Sequence, residues 1–298
     1  RSVTLPPSPS GVHKVGATGP LSGSVSEKDF TVTPAITLST TGGTAGTTVT
    51  VTGVGFGANE RNITVALGPR TMETGISANA QGSWTATITA PPLPAGSYPV
   101  TASGSLTSTA GVAAEVFTIG ASITVSPTTG PPGTPVTITG SGFGPNEVNI
   151  AIRYNGAEVA KGINASPVGS FTAQVTIPPS PAGARTLKVS GPATKEVEVS
   201  FAVTPVLALS RGEGMPGTTV TVTGSGFGAN ETGISVAYSG VPVASGIRAD
   251  AQGSWSATFA TPPLPGGSHS VSASGSTTPA ARVPGASFTS TPIISLAK

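Results

Sequence analysis

Few residues of this chain have types and spacings that could do chemistry, and most of them recur. The pairs Asn59-Glu60, Asn146-Glu147 and Asn230-Glu231 each close a Gly-Phe-Gly loop and form the best polar constellation. A calcium site needs about six to eight oxygen ligands, usually with several carboxylates. Asp29 and Asp250 are the only aspartates and no Asp-x-Asp pattern occurs, so the expected role of these pairs is to close a turn or to bond a domain junction. His13 and His269 fall in the same region of a repeat. A nucleophilic triad needs Ser or Cys, His and an acid brought together, and no Gly-x-Ser-x-Gly elbow accompanies either histidine. Both are expected to be solvent-exposed turn residues, and nothing supports a two-histidine metal site.

Trp84 and Trp255 could stack on sugars, but each shares its strand face with alternating apolar residues, and Phe171 takes the same place between them. Interchange of Trp and Phe points to a core role. Asn62-Ile63-Thr64, Asn164-Ala165-Ser166 and Asn230-Glu231-Thr232 satisfy the Asn-x-Ser/Thr acceptor triplet, so Asn62, Asn164 and Asn230 are the candidate glycan carriers. No catalytic, cofactor-binding or metal-binding residue emerges, and the expected reading is a protein that is not an enzyme and holds no cofactor.

The elements that carry these residues repeat. The stretch from Gly46 to Glu60 returns in related form as Gly133 to Glu147 and as Gly217 to Glu231. Its phenylalanines, Phe56, Phe143 and Phe227, set a period of 87 and then 84 residues. Each is followed by Gly-Ser and an aromatic residue (Trp84, Phe171, Trp255), and then by a proline hinge beginning at Pro91, Pro178 or Pro262. Between these landmarks apolar residues alternate with Thr and Ser, as in Val49 and Val51, Ile63, Val65 and Leu67, or Ile234, Val236 and Tyr238. Period 2 marks strands with one buried face, and no useful stretch has period 3.6. Short alternating strands separated by turn signals predict an all-β chain of tandem immunoglobulin-like β-sandwich domains.

The Pro-Gly-Thr-x-Val-Thr-x-Thr-Gly-x-Gly-Phe-Gly pattern, clearest at 132–144 and 216–228, resembles prokaryotic surface modules of the IPT/TIG-like immunoglobulin type. The resemblance covers most of the chain and implies a module of adhesins, surface-layer and stalk proteins, also used as a spacer in secreted enzymes. It carries over no catalytic residue, and fold alone does not fix function.

The expected divisions are residues 1–35 as the C-terminal half of one domain, repeats at 36–121, 122–205 and 206–291, and 292–298 as the first strand of a further domain or a donor strand. Val3-Thr4-Leu5-Pro6-Pro7 matches Val175-Thr176-Ile177-Pro178-Pro179, and Phe30-Thr31-Val32 matches Phe201-Ala202-Val203. At the far end Ile293, Ile294 and Leu296 stand where Val206, Leu207 and Leu209 stand. Val3, Leu5, Phe30, Val32, Ile293, Ile294 and Leu296 are therefore the expected interface residues. Two readings fit these ends: a window of a longer array, or a half-domain capped by another subunit's strand. The junctions are short and apolar where a flexible linker would be longer and rich in Gly and Ser, which predicts a stiff rod.

Charged residues make up 9% of the 298, cysteine is absent and net charge is +2. A typical soluble domain carries about 25% charge. Either the hydroxyl-rich surface is glycosylated or much of it is buried against other subunits. No Lys/Arg run suggests nucleic acid, and no apolar stretch approaches the roughly 18 residues that span a bilayer. The chain opens at Arg1 without a leader, as a processed or truncated start would. The leading expectation is a structural subunit of an extracellular filament or stalk that associates with itself. The alternatives are an adhesin or spacer whose tip lies elsewhere, and an accessory region of a secreted polysaccharide-active enzyme.

Overall fold

The computed structural model describes residues 4–21 and 23–292, and is all-β apart from two single 3-10 turns. Three repeats of eight strands each follow a shorter N-terminal ribbon. In the first repeat the strands are β5 (Ala35–Leu38), β6 (Gly42–Gly43), β7 (Thr48–Val54), β8 (Ile63–Leu67), β9 (Arg70–Ile76), β10 (Trp84–Thr89), β11 (Gly96–Ser103) and β12 (Glu115–Ile119). The second runs β13 (Ser122–Ser126), β14 (Thr129–Gly130), β15 (Pro135–Ser141), β16 (Ile150–Tyr154), β17 (Ala157–Ile163), β18 (Phe171–Thr176), β19 (Gly183–Ser190) and β20 (Val197–Val203). The third runs β21 (Val206–Leu209), β22 (Glu213–Gly214), β23 (Thr219–Ser225), β24 (Ile234–Tyr238), β25 (Val241–Ile247), β26 (Trp255–Ala260), β27 (Gly267–Ser274) and β28 (Ala286–Ser290).

Each repeat is a sandwich of a three-stranded and a five-stranded sheet. In the first, the orders are β10-β7-β5 and β6-β12-β11-β8-β9, and the other two copy this arrangement. The ladders are antiparallel except for the two-residue strand, which runs parallel to the last strand of its repeat. The period-2 pattern decides what each face does. Val49, Val51, Ile63, Val65 and Leu67 are fully buried, while Thr48 and Thr50 point outward. Each repeat closes its own core, and the three buried clusters share no residue.

One aromatic pair organises every core. Phe56 meets Trp84 edge-on at 5.3 Å, Phe143 meets Phe171 at 4.9 Å, and Phe227 meets Trp255 at 5.3 Å. The second ring of each pair lies flat on a glycine of the neighbouring strand. A Cβ at Gly53 would sit 2.1 Å from the Trp84 ring, and one at Gly140 would sit 2.1 Å from that of Phe171. The indole N–H groups of Trp84 and Trp255 are buried without a partner, so the pocket asks for a flat apolar ring and Phe serves as well.

The N-terminal ribbon pairs β1 (Gly11–Val15) with β4 (Lys28–Val32), and between them lies a short hairpin of β2 (Thr18–Gly19) and β3 (Gly23–Ser24). By sequence it corresponds to the last two strands of a repeat. Its inward positions are open here. Phe30 is 44% exposed, while Phe117, Phe201 and Phe288 at the same place are fully buried.

Candidate functional site

The recurring polar site is a buried carboxylate. Asn59, Asn146 and Asn230 take the left-handed conformation, at φ 54°, 54° and 53°, which Asn tolerates better than most residues. This turn drives the next residue inward, and Glu60, Glu147 and Glu231 are almost wholly buried. Glu60 accepts hydrogen bonds from the backbone N–H of Gly57 at 2.7 Å, of Leu106 at 2.7 Å and of Thr107 at 2.6 Å, and from the Thr107 hydroxyl at 2.7 Å. Glu147 and Thr194 repeat this set, as do Glu231 and Thr278, always 47 residues apart. The carboxylate thereby ties the Gly-Phe loop to the loop after the long strand β11, β19 or β27. Burial alone would raise the pKa of each of these acids, but the threonine hydroxyl and the backbone donors outweigh it and hold all three below the usual carboxylate value. With every lone pair directed at a protein donor, the group is a structural fastener rather than an acid or a ligand. The spacing of 47 from Glu to Thr was present in the sequence and is the signal that finds it.

A second recurring contact lies at the proline hinge. His13 Nε2 is 2.7 Å from the Pro9 carbonyl, the Tyr98 hydroxyl donates to Pro94 O at 2.8 Å, the Arg185 guanidinium donates to Pro181 O, and His269 Nε2 is 2.9 Å from Pro265 O. Four copies of one position use three residue types for one bond. The histidines are thus not turn residues: both lie on strands, β1 and β27, and are half-buried. Their Nε2 atoms are committed to a carbonyl, and His269 also stacks on Tyr238 at 5.0 Å. Among the described residues no cluster of three or more His, Cys, Asp or Glu could hold a metal ion.

The third recurring contact joins one unit to the next. The residue after the proline hinge donates its backbone N–H to the Gly-Phe turn of the following repeat. These bonds are Ser10 N to Phe56 O at 3.1 Å, Ala95 N to Gly142 O at 3.1 Å and Ala182 N to Phe227 O at 3.2 Å. Gly55, Gly142 and Gly226 allow the approach, since a Cβ on any of them would meet a carbonyl of the preceding junction at 2.5–2.8 Å.

Of the expected interface residues, Leu5, Phe30 and Val32 come together. With Pro7 and Val54 they line a groove of about 320 Å³ between the N-terminal ribbon and the first repeat. Val3, Ile293, Ile294 and Leu296 lie outside the described residues. The three glycan-acceptor asparagines are exposed and far apart in sequence, Asn62 and Asn230 on loops in the left-handed conformation and Asn164 just after β17. Trp84 and Trp255 are 4% and 6% exposed and offer no platform to a sugar. Among the described residues no helix is long and apolar enough to cross a membrane.

The model of the IPT/TIG domain matches the chain three times, over residues 34–119, 122–204 and 202–290. A search of curated proteins returns no match. Solved structures match the chain at low identity. The adhesin InvE of Yersinia pseudotuberculosis is 14% identical, with 57% of this chain and 58% of that one covered and a TM-score of 0.29. The protein SGBP-B of a Bacteroides ovatus mixed-linkage glucan utilization locus is 14% identical, over 83% and 64% of the two chains, with a TM-score of 0.31. A putative membrane-anchored protein of Corynebacterium diphtheriae is 12% identical, over 89% and 93%, at 0.28.

Proposed function

Because the chain belongs to the IPT/TIG domain family, we propose that it is an extracellular structural segment, the repeat region of a cell-surface filament or stalk in which consecutive domains are held end to end. The observation that carries this reading is the junction bond made three times over, from Ser10, Ala95 and Ala182 to the Gly-Phe turn of the next unit. A string of independent domains would not need glycines placed so that two backbones can touch. Domains fixed in this way act as a spacer whose length scales with their number, which is the requirement of a stalk or fibre.

Electron microscopy of the native material tests the proposal. Long fibres with a regular axial repeat, or rods projecting from a cell envelope, would support it, and collapsed particles of no fixed length would overturn it. Rods whose free end carries a separate domain would favour the spacer of an adhesin, and a hydrolase domain in that place would favour an accessory region of a polysaccharide-active enzyme.

A second reading concerns how fibres extend. The exposed Leu5 and Phe30, whose counterparts Ile177 and Phe201 are buried, suit completion by a strand of a second copy, a mode known for sheet edges. In that arrangement, deleting residues 292–298 abolishes polymerisation, whereas in a continuous array the fibres are unchanged.

A further inference from the structure

We infer that the outer face of the three-stranded sheet in each repeat is a lateral contact surface for a second copy of this chain. The nine strands of these sheets, β5, β7 and β10 with their counterparts, contain no Lys, Arg, Asp, Glu or His. Their outward positions are almost all threonine or another small residue. In the first repeat, Thr48, Thr50 and Thr52 of β7 stand opposite Thr89, Thr87 and Thr85 of β10, and Thr37 of β5 stands opposite Thr52. In the second, Thr139 is flanked by Thr124 and Thr172, and Thr137 by Ser126 and Gln174. In the third, Thr221 faces Thr258 and Thr223 faces Ser256. The five-stranded sheets of the first two repeats carry the charge instead: Arg70, Glu73 and Glu115, then Arg153, Glu158, Lys161, Lys188 and Glu198, with the Lys188–Glu196 pair at 2.7 Å.

Three physical arguments select a second copy as the occupant. A surface that is to stay solvated is normally dressed with long charged side chains, which resist sheet-to-sheet contact. Here only Gln174 is long. Threonine is stiff at χ1 and loses little side-chain entropy when immobilised, compared with up to about 2 kcal/mol for Lys or Glu. The face is also complementary to itself: rows of methyl and hydroxyl groups recur about 6.6 Å apart along each strand and about 4.8 Å apart between strands. Being neutral, it meets a copy without repulsion and offers nothing to a charged partner. It holds no exposed aromatic ring, so it gives a polysaccharide nothing to stack on. A three-strand face of this size covers about 300 Å², and a stable interface needs about 800 Å² per partner, so the contact must engage all three repeats together. It is lateral, and it does not depend on how the chain is extended end to end.

The test is sedimentation of the whole chain over a range of concentrations, at low and high salt. Wild type is expected to self-associate to the same extent at both. Thr50→Lys, Thr137→Lys and Thr221→Lys place a charge at the centre of each face, and each added substitution should weaken association about tenfold or more. Should a central variant fail to fold, Thr87→Lys, Gln174→Lys and Thr258→Lys charge the same faces at exposed positions. Ser97→Lys, Ser200→Lys and Ser287→Lys add equal charge to the five-stranded sheets and should change nothing. A wild type that stays monomeric to its solubility limit overturns the inference, whether or not it pellets with a neutral glucan. So does an equal loss of association in the five-stranded-sheet variants.

Discussion

A single acidic residue per repeat fastens two loops together, and its behaviour with pH follows from its partners. Glu60, Glu147 and Glu231 have folded-state pKa values below the usual 4.5. A depressed folded pKa adds stability that is fully present above the ordinary carboxylate value and is lost as pH falls through the folded one. The melting temperature is therefore expected to be flat near neutrality and to fall in acid below pH 4.5, in a calorimetric scan at several pH values. Glu147→Gln keeps the shape, but its amide nitrogen faces backbone donors. It should cost the second repeat about 2 kcal/mol or more and flatten the acid limb of that repeat. At Gly82 the backbone has φ 69° and a Cβ would lie 2.0 Å from Phe56 O. Gly82→Ala is expected to cost about 1–3 kcal/mol by denaturant titration, with the loss confined to the first repeat. The Gly-Phe-Gly-x-Asn-Glu run was legible as a loop whose polar pair closes a turn. The partner of the glutamate is legible only as a recurring 47-residue spacing to a threonine, because Thr107 comes within reach only after two distant loops are brought to one end of the sandwich.

At the level of strands, alternation was a sufficient guide wherever one face is apolar. β7, β8 and β10 and their counterparts lie where Val, Ile and aromatic residues alternate with Thr. Three features carried no such signal. The two-residue strand β6 is Gly42-Gly43, with no side chains to alternate. The edge strands β9, β17 and β25 each contain register shifts against their neighbour, and these break the period while protecting the edge from foreign pairing. The histidines suggest turn residues because proline and glycine precede them, yet ladder pairing opposite Phe30 and Phe288 places them on strands. The interchange of Trp84, Phe171 and Trp255 was read from sequence as core packing, and the geometry supplies its reason in the ring lying on a glycine. Trp255→Phe should change stability by under about 1.5 kcal/mol, since the indole N–H has no partner to lose, whereas Trp255→Ala should cost about 3–5 kcal/mol. Thermal melts of the two variants check this.

For the whole molecule, the repeat length and the brevity of the junctions were open to reading in the sequence. The junction hydrogen bond was not, because it joins two main-chain atoms and leaves no residue type behind except the glycine that permits it. Ala182→Pro removes the donor to Phe227 O while leaving both cores intact. It should broaden the distribution of angles between the second and third repeats in small-angle scattering, with no fall in melting temperature. An unchanged scattering profile would mean that packing around Pro132 and Gly226, which approach each other to 3.2 Å for a Cβ built on the glycine, holds the junction without the bond.

The parallel pairing of the short second strand with the last strand of each repeat bears on how the chain responds to tension. Thr118 N to Thr41 O and Gly120 N to Gly43 O, at 2.9 and 2.8 Å, close the first repeat, and Ala202 to Thr128 and Thr204 to Gly130 close the second. Pulling on the two ends draws these parallel strands past each other along their length, so both bonds bear the load at once rather than parting in turn as a zip does. Each repeat therefore has a mechanical clamp at the point where force enters and leaves it. Once a clamp fails, about 84 residues extend at roughly 3.5 Å each, a contour of about 290 Å less the span of the folded repeat, which lets one repeat absorb a shock while its neighbours stay folded.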